Sequence, residues 1–301
     1  MQNKIQNVTE TATNHGMSRR QFVNLCGLGI AGMGTVSLLA GCGGGSKSGS
    51  DSSGSAKSAS SKGAKEYILV KKGTLIGVSD MSYPPLESIP DGGTKPEGFE
   101  IDMMDAIAKK LGLTMEWLPA TKFDTIIPLI KQGGKADVGV SAFTITDERK
   151  KEIDFTKPYL NSNQGLVNRK ADGKVSEDAL NAKDKQVAVQ SGTTGEAWVK
   201  ENLPKATCVP LDDAIQAMTG VQTGLYNACV ADLPVTSYEI KQAYGDLQIP
   251  EGGEIPTGEQ YGIVVSKENV KLRKDLNAAI KALKDDGTMS TLQKKWFGTT
   301  L

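Results

Sequence analysis

Residues 136–159 read ADVGVSAFTITDERKKEIDFTKPY. The stretch opens as a short buried strand at 137–140 and passes through a polar junction of Ser141, Thr144 and Thr146. It ends in a heavily charged turn of helix. Thr146 suits a helix N-cap, and Asp147 and Glu148 suit the positive end of a helix dipole. Arg149 does not, because a cation in the first turn opposes that dipole. Two readings account for it. An anion bound above the strand end would hold the guanidinium, helped by hydroxyl or backbone donors. Alternatively, Arg149 is a surface arginine paired with Asp147 or Glu148.

Outward from this stretch, strand and helix patterns alternate. Residues 74–78 read as a strand. Residues 100–111 read as a helix, with Ile101, Met104, Ala108 and Leu111 on one face and Gly112 as its stop. Residues 113–118 alternate like a strand. A helix over 125–132 is expected to be capped by Asp124 and closed by Gly133-Gly134, with Pro128 near its start, where a missing N–H costs little. Together with 137–140 this gives a β-α-β-α-β order, which implies right-handed crossovers and a parallel sheet.

A second set follows: strand 186–189, turn 191–195, helix 196–202, strand 206–210, helix 212–223 and strand 228–231. A late strand at 261–265 and helices at 268–284 and 289–296 are expected to return to the first set. The fold class is therefore α/β with two lobes, one spanning 66–160 plus 260–301 and the other 161–259. Crossover strands are expected near 160–167 and 254–260.

The N-terminal 41 residues read as a targeting segment. Ser18-Arg19-Arg20-Gln21-Phe22-Val23 resembles a twin-arginine export motif, and an apolar, glycine-rich run follows. Leu39-Ala40-Gly41-Cys42 resembles a bacterial lipobox, which implies cleavage before Cys42 and a diacylglycerol on its thiol. An uncleaved membrane anchor is the alternative to the lipobox, and the Sec route the alternative to twin-arginine export. Residues 42–65 are rich in Gly, Ser, Ala and Lys, without a large apolar residue, and read as a flexible tether. The expected location is the outer face of the cell membrane or the periplasm, lipid-anchored.

About 235 residues remain, enough for one large domain or two small ones. The 35 basic and 35 acidic side chains balance, so there is no basic stripe for nucleic acid. The only histidine, His15, falls in the leader. The rest of the chain has no imidazole for a triad, a general base or a metal site, and no cofactor is expected. Cys208 and Cys229 sit in strand-like runs and read as buried free thiols, although an exported protein permits a disulfide.

In open parallel sheets, ligands bind beyond the carboxyl ends of the strands. Asp80, the group Ser141, Thr144 and Arg149, the turn 191–195 and Asp232 all follow expected strands. A cleft between lobes would then hold two carboxylates, an arginine and several donors. Such a set suits a zwitterion, with Arg149 for its carboxylate and Asp232 for its ammonium.

At these residues the chain resembles the bacterial extracellular solute-binding proteins of family 3, the polar amino acid receptors of ABC importers. Gly98-Phe99-Glu100-Ile101-Asp102-Met103 fits one family signature. Thr144-Ile145-Thr146-Asp147-Glu148-Arg149, with Ile153-Asp154-Phe155-Thr156 and Pro158-Tyr159, fits a second. Lys294-Lys295-Trp296-Phe297-Gly298 resembles the usual ending.

The resemblance implies a type II periplasmic-binding fold, with two α/β lobes joined by a two-strand hinge. It implies that Arg149 binds the ligand carboxylate, helped by Thr144 and Thr194, and that Asp232 takes the ammonium, with backbone from Ser141 or Ala142. Tyr83 and Phe123 would sandwich the ligand side chain, Asp80 would face its distal end, and Gln190 and Ala231 would complete the pocket. The implied partners are an amino acid, a membrane permease and, through Cys42, the lipid bilayer. The protein is expected to be a monomer.

A carboxylate at the distal end, with no basic residue beside it, favours glutamine, arginine, lysine or histidine over acidic ligands. The rival readings are a cyclohexadienyl dehydratase on the same fold, which would need a positioned acid or base, and an extracellular amino acid sensor.

Overall fold

The computed structural model describes residues 67–90 and 92–301. The leader, the Cys42 lipobox and the tether read at 1–65 lie outside the described residues.

The described chain begins with β1 (Thr74–Val78), β2 (Ser82–Tyr83), β3 (Glu87–Ser88), α1 (Phe99–Leu111) and β4 (Thr114–Trp117). Next come α2 (Phe123–Gln132), β5 (Val138–Gly139), α3 (Asp147–Glu152) and β6 (Asp154–Phe155). A long strand, β7 (Leu160–Arg169), leads to α4 (Glu177–Leu180), β8 (Gln186–Gln190), α5 (Thr194–Asn202), β9 (Thr207–Leu211) and α6 (Ala214–Gln222). These are followed by β10 (Ala228–Asp232), α7 (Leu233–Gln242) and β11 (Leu247–Gln248). The return path is β12 (Glu254–Tyr261), β13 (Val264–Val265), α8 (Val270–Asp285) and α9 (Thr288–Phe297).

These strands form two larger sheets, one per lobe. The first has the order β4-β1-β5-β13-β6, with β1 parallel to β4 and β5 and with β13 antiparallel to its neighbours. The second has the order β11-β7-β10-β8-β9, and β12 also pairs with β7. In it, β8 runs parallel to β9 and β10. The chain crosses between sheets twice, from β6 into β7 and from β12 into β13. β7 and β12 pair antiparallel, with a register shift between Ile255 and Glu259. The fold is thus the two-lobed, type II α/β architecture that the sequence implies.

Both faces of each sheet are covered, so the central strands are apolar on both sides. In β1, Leu75 packs among α1 and α8 residues, while Ile76 and Val78 pack against Phe123, Ile126 and Ile130 of α2. In the second sheet, Val187, Val189 and Val230 share one face, and Ala188 and Cys229 the other. Each such buried Val or Leu contributes about 1.5–3 kcal/mol. Gly77 is required where β1 passes β4, because a Cβ there would lie 2.5 Å from Met115 and 2.7 Å from Trp117. The C-terminal helices close on the first lobe. Phe297 packs on Phe99, and the Trp296 indole donates to Asp102.

Several sequence expectations change. α2 begins at Phe123 with Lys122 in the cap position, so Asp124 lies in the first turn and does not cap. Pro128 therefore sits mid-helix, where it removes a backbone hydrogen bond. The expected strand at 261–265 is two pieces, because β12 ends at Tyr261 and β13 begins at Val264. Helix α7 was not legible, since Pro234 and Thr236 break the apolar pattern. Pro234 is nonetheless tolerated in a first helical turn.

Cys208 and Cys229 are free thiols. They lie on β9 and β10, with β8 between them, and pair with the adjacent residues Val187 and Ala188. Two strand spacings, about 9.5 Å, and opposite faces exclude a disulfide. Burial pushes the Cys229 thiol up to about 12.

Candidate functional site

Four of the strands that build the cleft end at its rim. β1 leads through Ser79 to Asp80, β5 through Val140 to Ser141, and β8 and β10 end in Gln190 and Asp232. A cavity is lined by Asp80, Tyr83, Phe123, Ser141, Ala142, Thr144, Arg149, Gln190, Thr193, Thr194 and Asp232. The fold thus gathers ten of the eleven residues singled out from the sequence, and adds Thr193. Ala231 packs into the core instead.

Arg149 is held by neutral groups. Thr146 caps α3 by accepting the Arg149 backbone N–H at 3.2 Å. The guanidinium donates to the Thr144 carbonyl at 2.8 Å and to the Gly192 carbonyl at 3.0 Å. It also lies 5.4 Å from the Phe123 ring and 5.5 Å from the Phe143 ring, which stack 4.5 Å apart. Cation–π contacts of this kind contribute about 0.5–2 kcal/mol. Burial lowers the guanidinium's pKa, and the charges of Asp232 and Glu259 oppose that shift. The surface ion-pair reading fails, because Asp147 and Glu148 pair with Lys150 and Lys151.

Asp232 occupies the N-cap position of α7, yet its side chain does not cap the helix. Its carboxylate accepts from Gln164 Nε2 at 2.5 Å and from the Tyr261 hydroxyl at 2.5 Å. Burial, then the charge of Glu259, raises its pKa to about 7, while hydrogen bonds from Tyr261 and Gln164 and the charge of Arg149 pull it down. Gln164 Nε2 also donates to Glu259 at 2.9 Å and to Thr194 Oγ1 at 3.2 Å.

Thr144 Oγ1 donates to Glu259 at 3.1 Å. Its proton is therefore committed, and the hydroxyl offers the cavity acceptor lone pairs. That suits an ammonium better than the carboxylate role implied by resemblance. Across the cleft, Thr193 caps α5 by accepting the Glu196 N–H. Thr194 and Gly195, the first residues of that helix, have no intrahelical acceptor for their N–H groups. They and Arg149 are the donors suited to an anion.

At the other end, Asp80 accepts from Ser82 Oγ at 2.7 Å and from Gln190 Nε2 at 2.6 Å. Burial raises its pKa, the Ser82 and Gln190 hydrogen bonds oppose this, and the nearby charges of Asp213 and Asp124 add to the rise. This end is acidic, and Arg149 is the only cation among the lining residues. Beside the cavity, Lys122 next to Phe123 pairs with Asp212, whose carbonyl accepts from Gln190, in an exposed pair at 2.7 Å.

The implied aromatic sandwich is asymmetric. Phe123 uses one face on Phe143. Tyr83 is buried, and its hydroxyl accepts the Asp232 backbone N–H at 3.0 Å, tying β2 to β10. Sequence reasoning missed Phe143, Gln164, Glu259 and Tyr261. Phe143 lay inside the quoted opening stretch and could have been found as the residue flanking the polar junction. The other three lie on the crossover strands, where nothing local marks them.

Comparisons with known proteins place the chain in a family. The family profile of bacterial extracellular solute-binding proteins, family 3, matches residues 75–299. The chain belongs to this family. Among relatives of this family 3 protein is the L-cystine-binding protein TcyJ of Escherichia coli K12, 32% identical over 229 residues, covering 76% of this chain and 84% of that one. A solved ancestral arginine-binding protein bound to arginine is 37% identical, with a TM-score of 0.70, covering 75% of this chain and 99% of that one. An ancestral amino acid-binding protein described as a precursor of cyclohexadienyl dehydratase is also 37% identical, with a TM-score of 0.69, covering 75% of this chain and 96% of that one. Among the described residues of this solute-binding protein, no helix is long and apolar enough to cross a membrane.

Proposed function

We propose that the protein is the extracytoplasmic receptor of an ABC importer and binds an L-amino acid with a cationic side chain, arginine before lysine or histidine. One observation carries the reading. The cavity has a lone arginine at one end, a buried aspartate beside it and an aspartate-rich far end. Arg149 and the start of α5 would take the α-carboxylate. Asp232 and the acceptor oxygen of Thr144 would take the α-ammonium. Asp80, backed by Asp124 and Asp213, would face the distal cation. Glutamine remains compatible with Asp80 through its amide N–H groups but leaves the acidic end without a counter-charge. The arginine-bound ancestral relative supports this choice, and the cystine-binding relative shows that overall identity does not decide it.

The wider reading goes with this site. The lobes, bounded near 160 and 260, would close on the ligand through the paired crossover strands and present the loaded form to a permease. The chain would work as a monomer, exported by the twin-arginine route and anchored by a lipid on Cys42. Release of the Cys42→Ala chain from the membrane fraction is the expected result; retention overturns the anchor.

The decisive experiment is a calorimetric screen of the full chain against the common amino acids, repeated with Arg149→Ala. Tight binding of arginine that Arg149→Ala weakens about 100-fold or more supports the reading. Tight binding of glutamate alone sinks it.

One observation favours a second reading. A buried carboxyl raised to about 7, as at Asp232, is suited to proton donation. A dehydratase would use it so, and turnover of prephenate or arogenate by the purified protein would establish that activity.

A further inference from the structure

Beneath the cleft lie two carboxyls that the ligand site does not use. Glu87 of β3 and Glu100 of α1 are both 0% exposed and lie in hydrogen-bonding contact with each other. Neither forms an ion pair with a lysine or arginine among the described residues. Two ionised carboxylates so placed would repel strongly, with no solvent to screen them.

Their hydrogen bonds are unequal. Glu100 accepts twice, from the Ala142 backbone N–H at 3.0 Å and from the Tyr159 hydroxyl. Glu87 Oε1 accepts from Ser141 Oγ at 2.7 Å, while Glu87 Oε2 is buried without an ordinary donor. A carboxylate oxygen left so is costly. An acid O–H on that oxygen, donating to Glu100, removes the orphan.

We infer that Glu87 and Glu100 share one proton, carried on Glu87 Oε2, and that this neutral acid–carboxylate pair positions the cleft floor at Ser141 and Ala142. The floor needs such support. Ala142 has φ +47°, a left-handed conformation that a residue with a Cβ adopts at a cost, and its N–H is the group Glu100 holds. Ser141 donates to Glu87 and accepts the Asp80 backbone N–H at 3.2 Å, so the same network also holds the main chain at Asp80. The titratable groups that bear on the pair are Asp80 from the loop after β1, Tyr83 from β2, Tyr159 ahead of β7 and Asp232 from β10. The charge of Asp80 favours keeping the proton on Glu87, while the Tyr159 hydroxyl, by donating to Glu100, favours Glu100 as the ionised member. Glu87 and Glu100 are positioning residues, since neither lines the cavity.

The sign of the pH dependence follows. Both groups hold protons more tightly folded than unfolded. Their contribution to stability is full below the ordinary carboxylate range and is lost as pH rises through their raised values.

The test uses the full chain, with side-chain carboxyl carbons of glutamate isotopically labelled and followed by NMR from neutral to alkaline pH. One glutamate signal should stay in the neutral-acid form at pH 8. Glu87→Gln, which keeps an acceptor for Ser141 and an N–H donor for Glu100, should delete that signal and flatten the alkaline fall in melting temperature. Glu100→Gln should instead lower the melting temperature at every pH, because one amide oxygen must replace two carboxylate acceptors. With L-arginine as probe, wild-type affinity should fall at least tenfold more between pH 8 and 10 than that of Glu87→Gln, because deprotonation of the ligand's own α-ammonium lowers both alike. If all glutamates in the wild-type chain are ionised at pH 8, the inference is wrong, whatever becomes of the variants. It is equally wrong if Glu87→Gln keeps the alkaline loss of stability. Failure of L-arginine to bind at any pH would count against the proposed ligand only, because the carboxyl signal and the melting curves need none.

Discussion

The two charged poles of the cleft are built in opposite ways. Arg149 is surrounded by backbone carbonyls and aromatic rings and makes no direct ion pair among the described residues. Asp232 is surrounded by neutral donors, with a second carboxylate, Glu259, close behind. Neither pole neutralises the other at contact distance. The arginine keeps its charge despite burial, because guanidinium is hard to deprotonate. The aspartate answers the same burial by holding a proton to about 7. A site of this kind is completed by a ligand that brings both charges, which is how a zwitterion would gain from entering it.

The sharpest way to break the comparison is to remove the strong pole. Arg149→Ala should weaken L-arginine binding by about 3–5 kcal/mol, roughly 100-fold to 5000-fold by calorimetry, since it leaves the ligand carboxylate buried and unpaired.

Asp232→Asn should cost less, about 2–3 kcal/mol, because the wild-type carboxyl already spends part of its gain on losing a proton. The pH dependence separates the poles further. The ammonium favours ionised Asp232, so affinity should fall as pH drops below about 7, and binding at pH 6 should release a proton, seen as a buffer-dependent binding enthalpy. For the ligand-free fold the sign reverses. The raised value gives a contribution to stability that is full below about pH 4 and is lost as pH climbs through about 7. Asp232→Asn should abolish both dependences and Arg149→Ala neither.

Gly192 lies between the poles, and its carbonyl holds Arg149 from the opposite lobe. It has φ +76°, and a Cβ there would stand 2.9 Å from the Asp124 Cβ. Gly192→Ala should therefore lower stability by about 1–2 kcal/mol and, by shifting the carbonyl that holds Arg149, weaken L-arginine by no more than that. The smallest effect belongs to the rim. Lys122→Ala removes an exposed pair with Asp212 and should change affinity by less than about 1 kcal/mol, a difference that 1 M salt erases. A large, salt-insensitive loss would show that the rim pair belongs to the pocket.

Much of this was legible because it rests on local rules. The Thr146 cap and the limits of β1 are settled within a few residues, and the structure places them as the sequence implies. The strand ends were legible for the same reason, and in a parallel sheet strand ends gather at one edge. Local rules misled at Asp124, where the helix began two residues early, and at 261–265, where the chain changes partners from β7 to β5 and β6.

The sequence alone determined the α/β alternation, the family and the residue types that meet in the cleft, because strand period, helix period and capping act over one turn or pleat. The tertiary structure alone decided the states of those residues. Gln164 meets Glu259 across 95 positions of sequence, Glu87 meets Ser141 across 54, and Cys208 is parted from Cys229 by one intervening strand. Burial and long-range contact set whether a carboxyl holds a proton and which way a hydroxyl donates. Both depend on sheet order and lobe approach, which no window of sequence contains.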